Sequence, residues 1–445
     1  MKNILVLGAG LVSKPGVRYL LSQPEFNITV ASRTIEKAQA IVKGFSNGSA
    51  IPLNVKNTEI LIELIHKNDI VISLLPWTHH VKIAELCLSQ NTHMATTSYV
   101  SEDMKALDSE VKKRNLIFLN ELGVDPGIDH MSAMKIIDDV HKDGGKILHF
   151  YSFCGGLPAP EHNNNPFGYK FSWSPKGVVL ASQNSARFLE NGEEITIDGT
   201  NLFENPRKEY IENLGTFEVY PNRDSLPYKN LYGLKDALTV MRGTYRNIGW
   251  CETLKAIVDI GLIDETPDNS LKEKTYQQMV RELLNNTESK SIRYDVAHTL
   301  NIDQNSPILD RLEWLGLFSD KNVMKFDNKL DNLSELLQKK LYFKPDERDM
   351  ILLQHKFIIK NEKNEKKLIT STLIEYGILN GDSSMARTVS LPLAIGVKLI
   401  LNDKINLTGV RIPIMKEIYE PVLLELEQLG IKMNEQKRIY NENQV

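Results

Sequence analysis

The string Gly8-Ala9-Gly10-Leu11-Val12-Ser13 follows an apolar run at residues 4–7 and leads into helix-like spacing from Lys14. This pattern suits a dinucleotide. The first glycine permits a tight turn. The second lets backbone N–H groups approach a pyrophosphate at the helix N-terminus, where the helix dipole favours an anion. Leu11 and Val12 complete the turn. Ser13 holds the third motif position; it is small enough for close helix–strand packing, and its hydroxyl is expected to reach a phosphate. Pro15 falls in the first helical turn, where its missing N–H costs little. A lone glycine motif is also compatible with a ligand-free turn, but its place in a strand–helix–strand unit strengthens the cofactor reading. The second strand ends Ser32-Arg33-Thr34. NAD-binding chains usually carry a carboxylate there to hold the ribose 2′-OH. An Arg flanked by two hydroxyls suits a 2′-phosphate instead, so NADP(H) is the expected cofactor. The alternative for Arg33 is a solvated surface position.

These residues need strand ends to hold them. Apolar runs at residues 4–7, 28–31, 70–75, 93–96 and 116–119 alternate with helical spacing at 14–21, 58–66, 79–88 and 101–114. Short apolar strands with helical crossovers predict an α/β fold, an N-terminal Rossmann-type doubly wound parallel sheet. Leu74-Leu75-Pro76 and Thr97-Ser98-Tyr99 then close later strands at their carboxyl ends, where ligands bind such sheets. Residues 1–127 are expected to form this domain, with 385–445 packing back on it. A second α/β domain for substrate is expected over 128–249 and 342–384, with strands near 147–154, 177–180, 216–220, 350–359 and 367–375. A helical insert is expected over 250–341. A helix near 421–429 precedes a polar tail expected to fray.

Bulk composition restricts the function classes. The 445 residues carry 53 basic and 57 acidic side chains, a net charge of -4, which gives no basic footprint for nucleic acid or an anionic membrane. No signal-peptide pattern and no apolar run of membrane-spanning length are found, so a cytoplasmic protein is expected. Cys87, Cys154 and Cys251 are sparse and odd in number, which argues for a reducing compartment. No metal is expected. His79 and His80 are adjacent and would point about 100° apart on a helix. His130 and His162 lack a His/Cys/carboxylate partner pattern.

Several strings together resemble the saccharopine reductase family, the saccharopine dehydrogenases that form L-glutamate. They are residues 72–76, 97–100, 123–130 (Gly-Val-Asp-Pro-Gly-Ile-Asp-His), 154–160 (Cys-Gly-Gly-Leu-Pro-Ala-Pro), 169–174, 220–225 and 242–246 (Arg-Gly-Thr-Tyr-Arg). The likeness runs nearly the whole chain. It implies interconversion of saccharopine, NADP+ and water with L-glutamate, α-aminoadipate semialdehyde and NADPH, by hydride transfer through an imine, in lysine metabolism. The lack of an acidic residue at Ser32-Arg33-Thr34 agrees with the fungal NADP enzymes rather than the animal ones.

The resemblance also implies site residues. The cofactor set is Gly8, Gly10, Leu11, Val12, Ser13, Ser32, Arg33, Thr34, Leu75, Pro76, Thr97, Ser98, Val124, Asp125 and Pro126. Saccharopine has three carboxylates and calls for guanidinium forks. Arg223 and Arg246 are expected to clamp them, Gly243 and Thr244 to donate hydrogen bonds, and Ser98, Tyr99, Trp173 and Tyr245 to line the pocket. Arg242 is expected to brace the loop. Imine formation and hydrolysis each move a proton; Tyr99, Asp125 and Cys154 are the candidates. Asp125 could equally be a turn carboxylate, and Cys154 a small core residue. Two other readings stand beside this one: a related imine-reducing dehydrogenase such as carboxynorspermidine synthase, and a non-catalytic dinucleotide-binding protein. A homodimer is the expected assembly.

Overall fold

The computed structural model describes residues 1–173, 175–180, 183–284, 291–323 and 326–440. Ser174, part of one family-like string, lies outside them. The chain divides into two compact units, Met1–Ile147 with Ile359–Val445, and Leu148–Ile358.

The first unit begins with β1 (Lys2–Leu7), apolar and buried from Ile4 onward, as a strand covered on both faces must be. There follow α1 (Lys14–Leu21), β2 (Phe26–Ser32), α2 (Ile35–Val42), β3 (Gly48–Pro52), α3 (Thr58–His66), β4 (Ile70–Ser73), α4 (His80–Ser89), β5 (His93–Thr96), α5 (Glu102–Ala106), α6 (Asp108–Lys113), β6 (Ile117–Leu119) and α7 (Ile128–Lys142). The sequence reading passed over α2, of which only Ala38 and Ile41 are buried, and β3, which has few apolar residues. The helix expected over 101–114 breaks at Leu107 into α5 and α6.

In the second unit β7 (Lys146–Pro158) leads to α8 (Pro175–Leu180), β8 (Ala186–Glu190), β9 (Glu193–Ile197), β10 (Arg207–Ile211), β11 (Gly215–Pro221), α9 (Pro227–Leu231) and β12 (Thr239–Asn247). The strand expected at 177–180 is helical: Pro175 starts the turn, and Val178 and Val179 are buried in a helix-lined core instead of a ladder. The helices α10 (Trp250–Ile260), α11 (Tyr276–Leu283), α12 (Ile292–Leu300), α13 (Pro307–Leu315) and α14 (Lys329–Lys340) occupy the stretch read as a helical insert. They pack round Leu254, Ile257, Leu309, Leu312, Leu333 and Leu337. With β13 (Asp349–Lys360) the strand order is β10-β11-β12-β7-β13.

The chain then returns to the first unit through β14 (Lys366–Tyr376), α15 (Ser384–Leu401), β15 (Gly409–Arg411), α16 (Lys416–Gln428) and β16 (Asn434–Ile439). β15 joins β6 in parallel and completes a parallel seven-stranded sheet, order β15-β6-β5-β4-β1-β2-β3. The order reverses between β1 and β4, the place where open α/β sheets bind ligands. α15 is long and apolar enough to cross a membrane, which the sequence scan missed because Arg387, Ser390 and Lys398 interrupt its apolar residues. It is nearly all buried and packs so tightly on α1 that the Gly16 N–H donates to Ser390 Oγ at 2.9 Å. The tail does not fray where expected, because β16 pairs antiparallel with β14. Residues 128–147 and 359–384, expected in the substrate domain, fall in the first unit.

Candidate active site

Every cofactor residue proposed from sequence lies at or just beyond the carboxyl end of β1, β2, β4, β5 or β6. Gly8 has φ +112°, and a Cβ there would lie 2.8 Å from the Leu74 carbonyl oxygen, so the turn after β1 admits only glycine. Its N–H donates to Ala31 O at 2.9 Å, and Leu74 N–H donates to Leu7 O at 2.9 Å, which ties the ends of β2 and β4 to β1. A Cβ at Gly10, in contrast, would meet no other protein atom within 4 Å, so the peptide there can be approached closely, as a pyrophosphate requires. Leu11 is exposed and Val12 half-buried. Ser13 departs from expectation: its side chain is 0% exposed and its hydroxyl donates to Gly10 O at 2.8 Å. In this structure the hydroxyl proton is spent on the turn.

At the end of β2, Ser32 Oγ accepts the Thr34 N–H at 3.2 Å. Arg33 is exposed and forms no ion pair among the described residues. An unneutralised guanidinium with hydroxyls on either side fits a phosphomonoester.

Leu75 and Pro76 follow β4, and Thr97, Ser98 and Tyr99 follow β5; all but the exposed Pro76 are half-buried. The loop after β5 is pinned from the side. Glu121 N–H donates to Ser98 O at 3.2 Å, and Glu121 Oε1 accepts the Val100 N–H at 2.9 Å. Glu121 adopts φ +60°, uncommon outside glycine, and its second oxygen lies 2.8 Å from His130 Nε2. The turn of Val124, Asp125 and Pro126 is closed by Gly127 at φ +146°, where a Cβ would lie 2.1 Å from Gly123 O. Tyr99 donates its hydroxyl to Asp125 Oδ1 at 3.0 Å, so two of the proton-transfer candidates meet. Sequence reasoning missed Glu121 and found no partner for His130; their pairing comes from the chain's turn back at residues 121–130, which has no local signal.

In the second unit the decisive element is β12. The sequence reading placed Arg242 and Arg246 in turn-rich segments, but both lie on this strand, where alternate residues share a face. Arg242, Thr244 and Arg246 point one way. Cys154 of β7 is the register partner of Thr244, and Tyr220 of β11 lies opposite on the other side, so both join that face. Arg246 is 5% exposed, and its guanidinium carbon lies 4.9, 5.7 and 5.5 Å from the ring centroids of Tyr169, Tyr220 and Trp250. One Nη donates to Tyr245 O at 2.9 Å, while the buried Nε has no protein acceptor. No carboxylate pairs with this cation among the described residues. Arg242 braces the loop instead: its guanidinium stacks on Tyr228 at 4.5 Å and donates to the Tyr228 hydroxyl at 2.7 Å.

Gly243 and Tyr245 point to the opposite face, which corrects their expected place in the pocket. Tyr245 is 0% exposed, packs edge-on against Phe153 and Phe217, and reaches Gln354 Oε1 at 3.4 Å. Gly243 sits mid-sheet between Pro221 and Phe153, so its peptide groups belong to the ladder, and a Cβ there would press on Val219 and Phe153. Trp173 is 37% exposed. Arg223 is exposed at φ +55°, just beyond β11. Cys154 is buried, as are Cys87 and Cys251, and none of the three is in a disulfide.

Comparison with known proteins agrees across the whole chain. Residues 4–119 match the family model described as the saccharopine dehydrogenase NADP binding domain, and residues 123–431 match that of the saccharopine dehydrogenase C-terminal domain. The chain is 40% identical to the saccharopine dehydrogenase (NADP(+), L-glutamate-forming) of Schizosaccharomyces pombe, covering 98% of this chain and 99% of that protein. It is 36% identical to the mitochondrial alpha-aminoadipic semialdehyde synthase of Rattus norvegicus, covering 98% of this chain and 48% of that one. The solved structure of apo saccharopine dehydrogenase (L-Glu forming) from Saccharomyces cerevisiae superposes with a TM-score of 0.90 at 38% identity, covering 98% of this chain and 100% of that one. The chain belongs to the saccharopine dehydrogenase family.

Proposed function

We propose that this chain interconverts saccharopine, NADP+ and water with L-glutamate, α-aminoadipate semialdehyde, NADPH and a proton. It is an oxidoreductase of lysine metabolism acting on a CH–NH donor. The observation that carries the reading is Arg246: a buried cation with no acidic partner among the described residues, in an aromatic cage, on the face that Thr244 and Cys154 share. A fixed guanidinium of this kind is suited to a carboxylate brought by a ligand. The near relatives support the same substrate.

NADP(H), when bound, supplies hydride acceptance and donation. The protein's part is to bind and orient. The turn at Gly8–Ser13 offers N–H groups to the pyrophosphate, and Ser32, Arg33 and Thr34 hold the 2′-phosphate. Arg246 grips one substrate carboxylate with Thr244 beside it, and Arg223 is assigned to another. The reaction oxidises the C–H beside a secondary amine and hydrolyses the imine through a carbinolamine, so protons leave and return at the substrate nitrogen and at water. Asp125, held by the Tyr99 hydroxyl, orients the substrate amine; Cys154 stands beside Thr244 as a second polar group. A cytoplasmic location and a homodimer complete the reading. Neither the carboxynorspermidine synthase reading nor the non-catalytic one is favoured, since the near full-length relatives are saccharopine dehydrogenases.

The test is absorbance at the reduced-nicotinamide band with purified protein, saccharopine, and NADP+ or NAD+ in parallel. A rise with NADP+ that outpaces NAD+ is expected. No rise with either, in folded protein that binds NADPH, would move the assignment to another imine substrate.

A further inference from the structure

His80 opens α4 and is buried below the strand ends that carry the cofactor residues. Its Nδ1 lies 2.9 Å from Ser73 Oγ, and its Nε2 lies 2.8 Å from Ser98 Oγ and 3.4 Å from Thr96 Oγ1. Hydrogen counting sets the direction of these bonds. Thr96 has one hydroxyl proton and donates it to the Ser73 carbonyl at 2.9 Å. Toward His80 it can only accept, so the tautomer that makes all three contacts hydrogen bonds is the one with the ring proton on Nε2, and we assign that tautomer. Nδ1 is then an acceptor, and the Ser73 hydroxyl donates to it. Ser98 Oγ, on the same side of the ring as Thr96, receives the Nε2–H. With that tautomer, the hydroxyl proton of Ser98 has no acceptor within this network.

Burial, helped by the neighbouring His79, lowers the His80 ring to about 4, so at neutral pH it holds a single proton and the count applies. The backbone of the same loop is fixed independently by Glu121, through Ser98 O and the Val100 N–H. What His80 adds is therefore the side-chain rotamer and the polarity of one hydroxyl. A half-buried serine without such a partner samples several staggered rotamers.

We propose that His80 is a positioning residue: it holds Ser98 as a hydrogen-bond donor to an acceptor oxygen of a bound ligand, either the carboxamide of the nicotinamide or a carboxylate of the amino-acid substrate. The identity of the ligands rests on the proposed function; the placement of the protons does not.

Two measurements test it. Nitrogen-15 NMR of the histidine rings is expected to show His80 as the neutral Nε2–H tautomer; the Nδ1–H tautomer would overturn the proposal. NADPH affinity, and KM and kcat for saccharopine, are compared in Ser98→Ala, His80→Leu, the double variant and His80→Gln. Ser98→Ala and His80→Leu are each expected to weaken the same quantity by roughly tenfold, the scale of one hydrogen bond to a ligand. The double variant is expected to be no worse than Ser98→Ala alone, and His80→Gln, whose amide N–H can reach the Nε2 position, to recover most of the loss. A change in NADPH affinity assigns the acceptor to the nicotinamide carboxamide; a change in KM with NADPH affinity intact assigns it to a substrate carboxylate. Multiplying losses in the double variant, or an unaltered Ser98→Ala enzyme, would refute the role. Should His80→Leu not fold, the tautomer and Ser98→Ala decide. If saccharopine is not turned over while the tautomer and the NADPH result stand, the substrate assignment fails and the positioning role survives.

Discussion

Arg246 holds its guanidinium carbon 4.9 Å from the centroid of the Tyr169 ring, with its Nε facing no protein acceptor. A buried cation held by aromatic rings and a carbonyl, with no carboxylate among the described residues, is an expensive arrangement for folding alone. Arg246→Met is therefore expected to leave thermal stability equal or higher. It is also expected to raise KM for saccharopine by the roughly 2–5 kcal/mol that accompanies loss of one partner in a desolvated charge pair. Arg246→Lys is not expected to recover the loss, because a point charge lacks the planar fork. Thermal melts and initial rates on the three proteins check this; an unchanged KM would remove Arg246 from the pocket.

The opposite face of the same strand gives a control. Tyr245 is sealed in the core one residue before Arg246, and its hydroxyl reaches only as far as Gln354 at 3.4 Å. Tyr245→Phe is expected to leave KM and kcat within about twofold and to lower stability by no more than about 1 kcal/mol, the net value of one weak hydrogen bond. A large rise in KM with an unchanged melt would mean that the face assignment on β12 is wrong.

What could be read from sequence follows physical locality. The parallel sheet was legible because its strands are short apolar runs set between helical periods, and the glycine turn and Ser32-Arg33-Thr34 lie at its strand ends. β12 was not legible, because burial on both faces hides the alternation of Thr239–Asn247, and Gly243 resembles a loop residue. Without the strand, Arg246 and Tyr245 could not be sorted to opposite faces. The cage of Tyr169, Tyr220 and Trp250 joins three separate segments, and the Ser73–His80–Ser98 chain joins two strand ends to a helix. Such long-range groupings leave no periodic trace. Ser13 shows the reverse error: the residue type allowed a phosphate contact, but its hydroxyl was needed to close its own turn.

Lys170 and Glu347 form a buried ion pair at 2.6 Å, with Asn164 and the Lys344 N–H also on the carboxylate. Burial alone would raise the Glu347 carboxyl, but these three donors outweigh it and hold the group down to about 2. A folded value below the unfolded one means stability that is complete above the ordinary Glu range of about 4.3 and is lost as pH falls toward 2. Lys170→Met is expected to cost about 1.5–3 kcal/mol near neutral pH, because Glu347 keeps its Asn164 and Lys344 donors but loses its charged one. Adding Glu347→Leu is expected to recover most of this and to flatten the acid limb. Denaturant melts from pH 7 to pH 2 check both, and a Lys170→Met protein as stable as wild type would show that the pair contributes nothing.

Arg33 is exposed and has no ion-pair partner among the described residues, so its removal leaves no buried charge behind. Arg33→Ala is expected to leave the melting temperature unaltered and to weaken NADPH by about tenfold or more, the range of a charge-assisted hydrogen bond, with NADH affected far less. The loss is expected to shrink with added salt, because the contact is screened. Titration of both nucleotides at two ionic strengths decides it, and equal losses for the two would remove the 2′-phosphate role.

Asp125 and the Tyr99 hydroxyl stand 3.0 Å apart, and the two roles open to Asp125 predict different variants. If its charge orients the substrate amine, Asp125→Asn keeps the turn and the Tyr99 hydrogen bond but removes the charge. kcat/KM then falls by about ten- to a hundredfold, the range for a positioned acid–base group at its lower end, while the melting temperature holds. Tyr99→Phe, which removes this bond without neutralising the carboxylate, is expected to cost less, and the double variant little more than Asp125→Asn, because both act through one carboxylate. If the carboxylate only closes the turn before α7, the amide and the phenylalanine lower stability and leave the kinetics in place. The Tyr99 bond joins this carboxylate to the loop after β5 that carries Thr97 and Ser98, so a change at Asp125 is expected to reach the site through that loop as well as through the turn before α7.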